Sequence, residues 1–248
     1  MRRLLLLLPG LLVASCRGRA ERELRGPSDD ARQLLLVRTL AWDAMEGWLR
    51  RYVRVGPSDR WSPDGGPRPV TVGRSGLGWA ADQPHPRAGP EKSEGDGRSP
   101  AGVFPLGVAF GTASAAEMGW IRIGYLPLVP TTECVDDPAS AHYNAIVDRA
   151  LVPHSDWRSS ERMREVGEAY RLGIVVGHNV APARPGLGSC IFLHLWSGKP
   201  SPTTGCTAMG AEAMEELLRW LDPEAHPVLV QLPEGALAQV RAETGLPP

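Results

Sequence analysis

The chain has 248 residues, and its 27 Lys and Arg stand against 28 Asp and Glu for a formal net charge of −1. No basic stripe stands out, and binding along a nucleic-acid backbone needs clustered cations, so nucleic acid is not an expected partner. With 24 Pro and 28 Gly, the composition points to strands, turns and loops in one larger domain with a substantial core, not to a helical bundle.

Arg2 and Arg3 precede an apolar run from Leu4 to Val13, interrupted only by Pro9-Gly10. A membrane-spanning helix takes roughly 20 apolar residues, so the run is too short to cross a bilayer. A basic start, a short apolar core and then small residues is the layout of a secretory signal. Val13-Ala14-Ser15-Cys16 resembles the lipobox of bacterial lipoproteins. That resemblance implies a signal peptide over residues 1–15, removed before Cys16, and acylation of Cys16. The alternative is an ordinary signal with an incidental cysteine. Acyl chains would anchor the protein at the periplasmic side of a bacterial membrane. Arg17, where an inner-membrane lipoprotein often has Asp, favours the outer membrane.

Residues 16–32 are polar and read as a membrane tether. One folded domain is expected over 33–233, with 234–248 as a C-terminal tail. Leu34 to Val37 is a short apolar run that fits a strand or the start of a helix. Trp42, Met45, Trp48, Leu49 and Tyr52 recur at helical spacing and predict an amphipathic helix. Val70 to Val72, Val103 to Val108 and Gly119 to Ile123 read as strands. Between them, residues 83–99 form a polar, Gly-rich loop containing Lys92, Glu94 and Asp96.

Ser159 to Arg171 predicts a helix from Met163, Val166 and Tyr170, with Gly173 as its stop. Ile174 to Val176 is a strand ending at His178-Asn179. Ile191 to Trp196 is the strongest strand in the chain, and Val228 to Leu232 a late one. Ala211 to Leu221 predicts a helix with a stripe of Met214, Leu217, Leu218 and Leu221. Strands outnumber helices and do not alternate with them, so a mainly β or α+β domain is expected, not a doubly wound sheet.

The cysteines are Cys16, Cys134, Cys190 and Cys206. With Cys16 acylated, an odd number remains in an oxidising compartment, which flags a free thiol. The expected arrangement is a Cys134–Cys190 disulfide with Cys206 free, the alternative being reduced, buried thiols throughout.

The chemistry concentrates in 189–209. A strand delivers His194, a Pro- and Gly-rich loop follows, and Thr204-Gly205-Cys206 presents a thiol. A thiol attacks as thiolate, and a neighbouring imidazolium lowers its pKa from about 8.5. A histidine fixed on a strand can take that proton and later return it to a leaving amine. The amides of Gly205 and Cys206, with Thr204 beside them, are the candidate oxyanion donors. A core histidine beside a buried cysteine would give the same pattern.

This segment resembles the catalytic motif of the L,D-transpeptidase (YkuD-like) family, a strand histidine followed by Ser/Thr-x-Gly-Cys. The matching residues are His194, Thr203, Gly205 and Cys206. A second family segment, Thr/Ser-Pro-x-Gly-x-Phe, is matched by Ser99-Pro100-Ala101-Gly102-Val103-Phe104. The ordered pair spans roughly residues 70 to 232. Thr204 stands where the family commonly has His, and Ala208 where it usually has Arg or Asn, so the branch is divergent. The resemblance implies a mainly β, sandwich-like catalytic domain with short helices. It implies acyl transfer on peptidoglycan stem peptides through a Cys206 thioester, with the Leu195 carbonyl holding the imidazole and no cofactor. The alternatives are a cysteine hydrolase of the same fold and a non-catalytic wall-binding lipoprotein.

His178 and Asn179 at a strand end, and Lys92 and Asp96 in the Gly-rich loop, are the candidate substrate contacts. Asp136, Asp137, His142 and His178 lack the tight ligand pairs zinc prefers, so no metal is expected.

Overall fold

The computed structural model of the protein describes residues 26–84, 88–180, 182–198 and 200–248. The expected signal peptide, Cys16 and most of the expected tether lie outside the described residues. Among the described residues no helix is long and apolar enough to cross a membrane.

The ambiguous run near the start is a strand, β1 (Gln33–Thr39), with Leu34 to Val37 all buried. The helix expected over Trp42 to Tyr52 is instead β2 (Glu46–Val53), paired antiparallel with β1 from Thr39↔Gly47 to Gln33↔Val53. Its Leu49 is buried while the adjacent Trp48 is 54% exposed, the alternation of a pleated strand. The short β3 (Ser62–Pro63) and then β4 (Arg68–Thr71) both pair with β2. After β5 (Leu77–Trp79) comes the longest strand, β6 (Ser99–Gly111), which opens on the Ser-Pro motif. The strand expected over Gly119 to Ile123 is a turn. Gly124 sits at φ +82°, and parallel pairing with β6 begins only at β7 (Tyr125–Pro127).

β8 (Thr132–Val135), β9 (Ile146–Asp148) and β10 (Ser160–Arg162) form a separate sheet in the order β10-β8-β9. The helix expected over Ser159 to Arg171 is therefore β10 followed by a 3₁₀ segment, Met163–Tyr170, kinked at Gly167 with φ +76°. Gly173 is not a helix stop but lies within β11 (Leu172–Val176). A Cβ there would come within 2.4 Å of the Phe110 ring and 2.8 Å of the Leu193 carbonyl. β12 (Phe192–Leu195), β13 (Thr207–Met209) and helix α1 (Ala211–Trp220) follow, and α1 buries Met214, Leu217 and Leu218 as its spacing predicts. β14 (Val228–Pro233) precedes α2 (Glu234–Thr244). The expected tail over 234–248 is thus a packed helix and its exit, with Ala236, Leu237, Val240 and Leu246 buried in the main core.

The main sheet runs β1-β14-β6-β11-β12-β13-β4-β2-β3, and β2 returns to pair with β1. The mainly β fold with short helices is as expected. Its sheet closes on itself through β1, so its central strands lose their edges. Within this ring β12 lies antiparallel to β11 and parallel to β13, which sets His194 between Gly173 and Ala208. Two small flanking residues leave the imidazole room on its face.

Candidate active site

His194 is held by its own strand. Its Nδ1 lies 2.8 Å from the Leu195 carbonyl, which can only accept, so Nδ1 carries the hydrogen and Nε2 is the basic atom. Burial drives the imidazole pKa down, and the Leu195 hydrogen bond opposes that only in part. The ring is neutral at rest.

Cys206 is 6% exposed. Its sulfur accepts from the Phe192 amide at 3.3 Å and donates to the Cys190 carbonyl at 3.4 Å. Burial, joined by the charge of Glu161, pushes the thiol up to about 12, against smaller opposing effects from the Phe192 amide, Tyr170 and Lys92. The expected lowering of the thiol by a neighbouring imidazolium is therefore absent: a neutral thiol and a neutral imidazole share the site.

The two groups line one cavity of about 370 Å³, together with Arg74, Glu161, Tyr170 and Thr204. A second cavity, of about 270 Å³, reaches the same sulfur past Lys92, Glu94, Asp136, Ser189 and Gly205. Cys206, Thr204, Glu161 and Arg74 belong to both. A roomier, more apolar groove of about 780 Å³ shares only Trp196 with the thiol cavity and contains neither His194 nor Cys206.

The two sequence motifs meet at the Cys206 carbonyl. Ser99 Oγ donates to it at 2.7 Å and Thr203 Oγ1 at 2.5 Å. Ser99 Oγ in turn accepts from the Gly73 amide, and Thr203 Oγ1 from the Gly205 amide. A further link joins Thr207 to the Gln231 side-chain oxygen, whose amide nitrogen donates to the Pro100 carbonyl. The Gly205 N–H is thus engaged by Thr203, which corrects its expected role as an oxyanion donor.

Cys134 and Cys190 are joined by a disulfide, and among the described residues Cys206 is the free cysteine. Cys190 sits at φ +54°, an uncommon conformation for a residue with a side chain. Its amide is held by Asn144 Oδ1 at 2.9 Å, while Asn144 Nδ2 donates to the carbonyls of His178 and Asn179. The bridge from β8 and the Asn144 clamp together place the carbonyl that receives the thiol hydrogen.

The expected substrate contacts are mostly structural. His178 and Asn179 are each 1% exposed. His178 Nε2 bonds the Leu187 carbonyl, and Asn179 bonds the backbone of Arg184 and Gly188, so both fold the loop that leads to Cys190. Asp96 binds Lys92 Nζ and the amides of Ser93 and Arg98, a loop-holding role. Lys92 lines the second cavity, its Nζ turned to Asp96 and the Ser93 carbonyl.

Sequence reasoning missed Glu161 and the place of Tyr170 beside the thiol and the imidazole. Tyr170 was legible only as one apolar position of an expected helix, and Glu161 carried no local signal. In the fold the Tyr170 hydroxyl donates to Glu161 Oε2 at 2.7 Å, and its ring stands 5.4 Å from that of His194.

Fold and site together define a mainly β domain that turns one thiol and one imidazole to a common cavity. The chain belongs to the L,D-transpeptidase catalytic domain (YkuD) family, whose family model matches residues 50–230. No curated protein matches the chain. Among solved structures it is similar to the helical cell shape determining protein Pgp2 from Campylobacter jejuni, at 14% identity and a TM-score of 0.39, over 86% of this chain and 51% of that one. The chain thus spans about half the length of that protein.

Proposed function

We propose that the chain is a cysteine-dependent L,D-transpeptidase acting on peptidoglycan stem peptides, with Cys206 as nucleophile and His194 as the base of the site. The observation that supports this most is the shared cavity: sulfur and imidazole open onto it, and Nδ1 is tied to Leu195 so that Nε2 is the basic atom. Because both groups are neutral at rest, the thiol proton leaves as the sulfur attacks, not beforehand in a standing ion pair. The carbonyl attacked is the one that follows an L-configured centre of the stem peptide. A terminal amine leaves, and an acceptor amine resolves the thioester; water in its place would make the activity a carboxypeptidase. With the Gly205 amide engaged by Thr203, the oxyanion falls to the amide of Cys206 itself. Residues 1–16 fit an exported protein tethered by acylated Cys16 to the periplasmic face of a membrane, the outer one in preference to the inner.

One observation favours a second reading. A thiol 6% exposed and pushed up to about 12 is also what a non-catalytic wall-binding domain would keep. Intact-mass measurement with a carbapenem separates the two. The catalytic reading expects a covalent adduct on the wild type and none on Cys206→Ser. An adduct that forms equally on Cys206→Ser, or that never forms on the wild type, overturns it.

A further inference from the structure

Arg74 lies in a tight turn between β4 and β5, closed by the Gly76 amide on the Gly73 carbonyl at 2.7 Å. Its backbone is fixed on the nucleophile segment. The Arg74 amide donates to the Thr203 carbonyl at 2.8 Å, and the Thr203 hydroxyl in turn holds the Cys206 carbonyl. The next amide, that of Ser75, donates to the Gly97 carbonyl at 2.9 Å. The side chain then rests against Gly97. A Cβ on that glycine, which sits at φ +72°, would lie 3.0 Å from both Cγ and Nε of Arg74. A bare Gly97 thus gives the arginine stem its path. The residue lines both cavities that reach the sulfur, as do Glu161, Thr204 and Cys206.

The Arg74 side chain has no hydrogen bond, ion pair or ring contact among the described residues. The cations nearest to it in the fold are occupied. Lys92 Nζ is bound by Asp96 and the Ser93 carbonyl, and the Arg98 guanidinium donates to the carbonyls of Leu77 and Trp42. Glu161 faces both cavities, and Glu94 and Asp136 face the second. These carboxylates disfavour an anion elsewhere around the sulfur and leave Arg74 as its place. A guanidinium presents a planar fork of donors that matches a carboxylate.

We propose that Arg74 is a specificity-determining residue that binds the free carboxylate of the terminal amino acid that leaves, so that the site takes the last bond of a stem. The proposal rests on the reading of Cys206 as nucleophile. In the leaving residue the carboxylate is one carbon from the nitrogen of the bond that breaks. Holding it at Arg74 limits which carbonyl can meet the sulfur. A stem that runs on past this residue, or that ends in an amide, offers no carboxylate there and leaves the guanidinium without its partner. The thiol and His194 keep the roles already given to them, and Arg74 adds the choice of substrate.

A carbapenem carries a carboxylate one carbon from the lactam nitrogen that leaves, the same spacing as in the terminal residue, and its methyl ester lacks the charge. Acylation of Cys206 by the acid and by the ester is followed by intact mass on the full chain, in the wild type and in Arg74→Gln. The ratio of the acid rate to the ester rate cancels the intrinsic reactivity of the two compounds. A charge-assisted pair at Arg74 makes that ratio about tenfold or more higher in the wild type than in Arg74→Gln. A merely structural arginine would slow acid and ester alike and leave the ratio where it was. An acylated wild type whose ratio differs less than this from that of Arg74→Gln overturns the Arg74 assignment alone. A wild type that neither compound acylates overturns the nucleophile reading and the assignment with it.

Discussion

Replacing Cys134 and Cys190 together by Ala removes a cross-link between residues 56 positions apart. In the chain-entropy account, a closed loop of that length restricts the unfolded chain by about 4 kcal/mol. For a domain of this size each kcal/mol moves the melting midpoint by roughly 2–4 °C, so the double variant melts roughly 8–16 °C below the wild type. Circular dichroism during heating measures it, and reductant reproduces the shift in the wild type while leaving the double variant unmoved. The consequence reaches the site. Cys190 is held at φ +54° by the bridge and by Asn144, and its carbonyl receives the Cys206 thiol hydrogen. Acylation of Cys206, followed well below the melting range, therefore slows as well. A double variant that melts with the wild type, or a wild type indifferent to reductant, would refute the bridge as a constraint on the fold. Unchanged acylation would refute its hold on the thiol.

Ser99→Ala strands the Gly73 amide without its acceptor and takes one of two hydroxyls off the Cys206 carbonyl. A buried donor left unpaired costs about 1–3 kcal/mol, which lowers the melting midpoint by several degrees, and the acylation rate drops with it. Equal melting and equal rate would mean that the two motifs are not coupled through this serine. The pH dependence of stability has a defined sign. Burial lowers the pKa of both His194 and His178, so their contribution is fully present above the unfolded value of 6.5 and is lost as pH falls below it. The raised carboxyl of Glu161 acts in the opposite sense, so the effect is read in a Glu161→Gln background. There the melting midpoint declines steadily as the pH is taken below 6.5, and a flat profile by scanning calorimetry would speak against neutral buried rings.

The elements that carry and follow His194 and Cys206 were legible because β12 is apolar on both faces with one titratable group in it, and because α1 shows an apolar stripe of Met214, Leu217 and Leu218. β2 was not, since Met45, Trp48, Leu49 and Tyr52 satisfy a helical period and can also serve a strand. The deciding fact, a register with β1 from Gln33 to Thr39, is non-local. The small sheet escaped notice for a similar reason: β9 and β10 are three residues each and too short to show alternation. Glu161, which they bring to the sulfur, was hidden with them. His178 and Asn179 sit at a strand end where ligand contacts gather, yet the Pro- and Gly-rich loop after them needs internal acceptors and donors, and takes both side chains. α2 was missed because its buried face is only Ala236, Leu237 and Val240.

The first strand is gripped on one side by the second and on the other by the last, with Leu34 opposite Val228. Closure of the ring therefore waits for nearly the whole polypeptide, and a chain threaded from its N-terminus holds a half-made barrel until β14 arrives. Pairings this distant in sequence are slow to find. A chain shortened ahead of β14 would leave an open, sticky seam along β1 and β6, so quality control during folding falls on β14 and the helix after it as heavily as on the site itself.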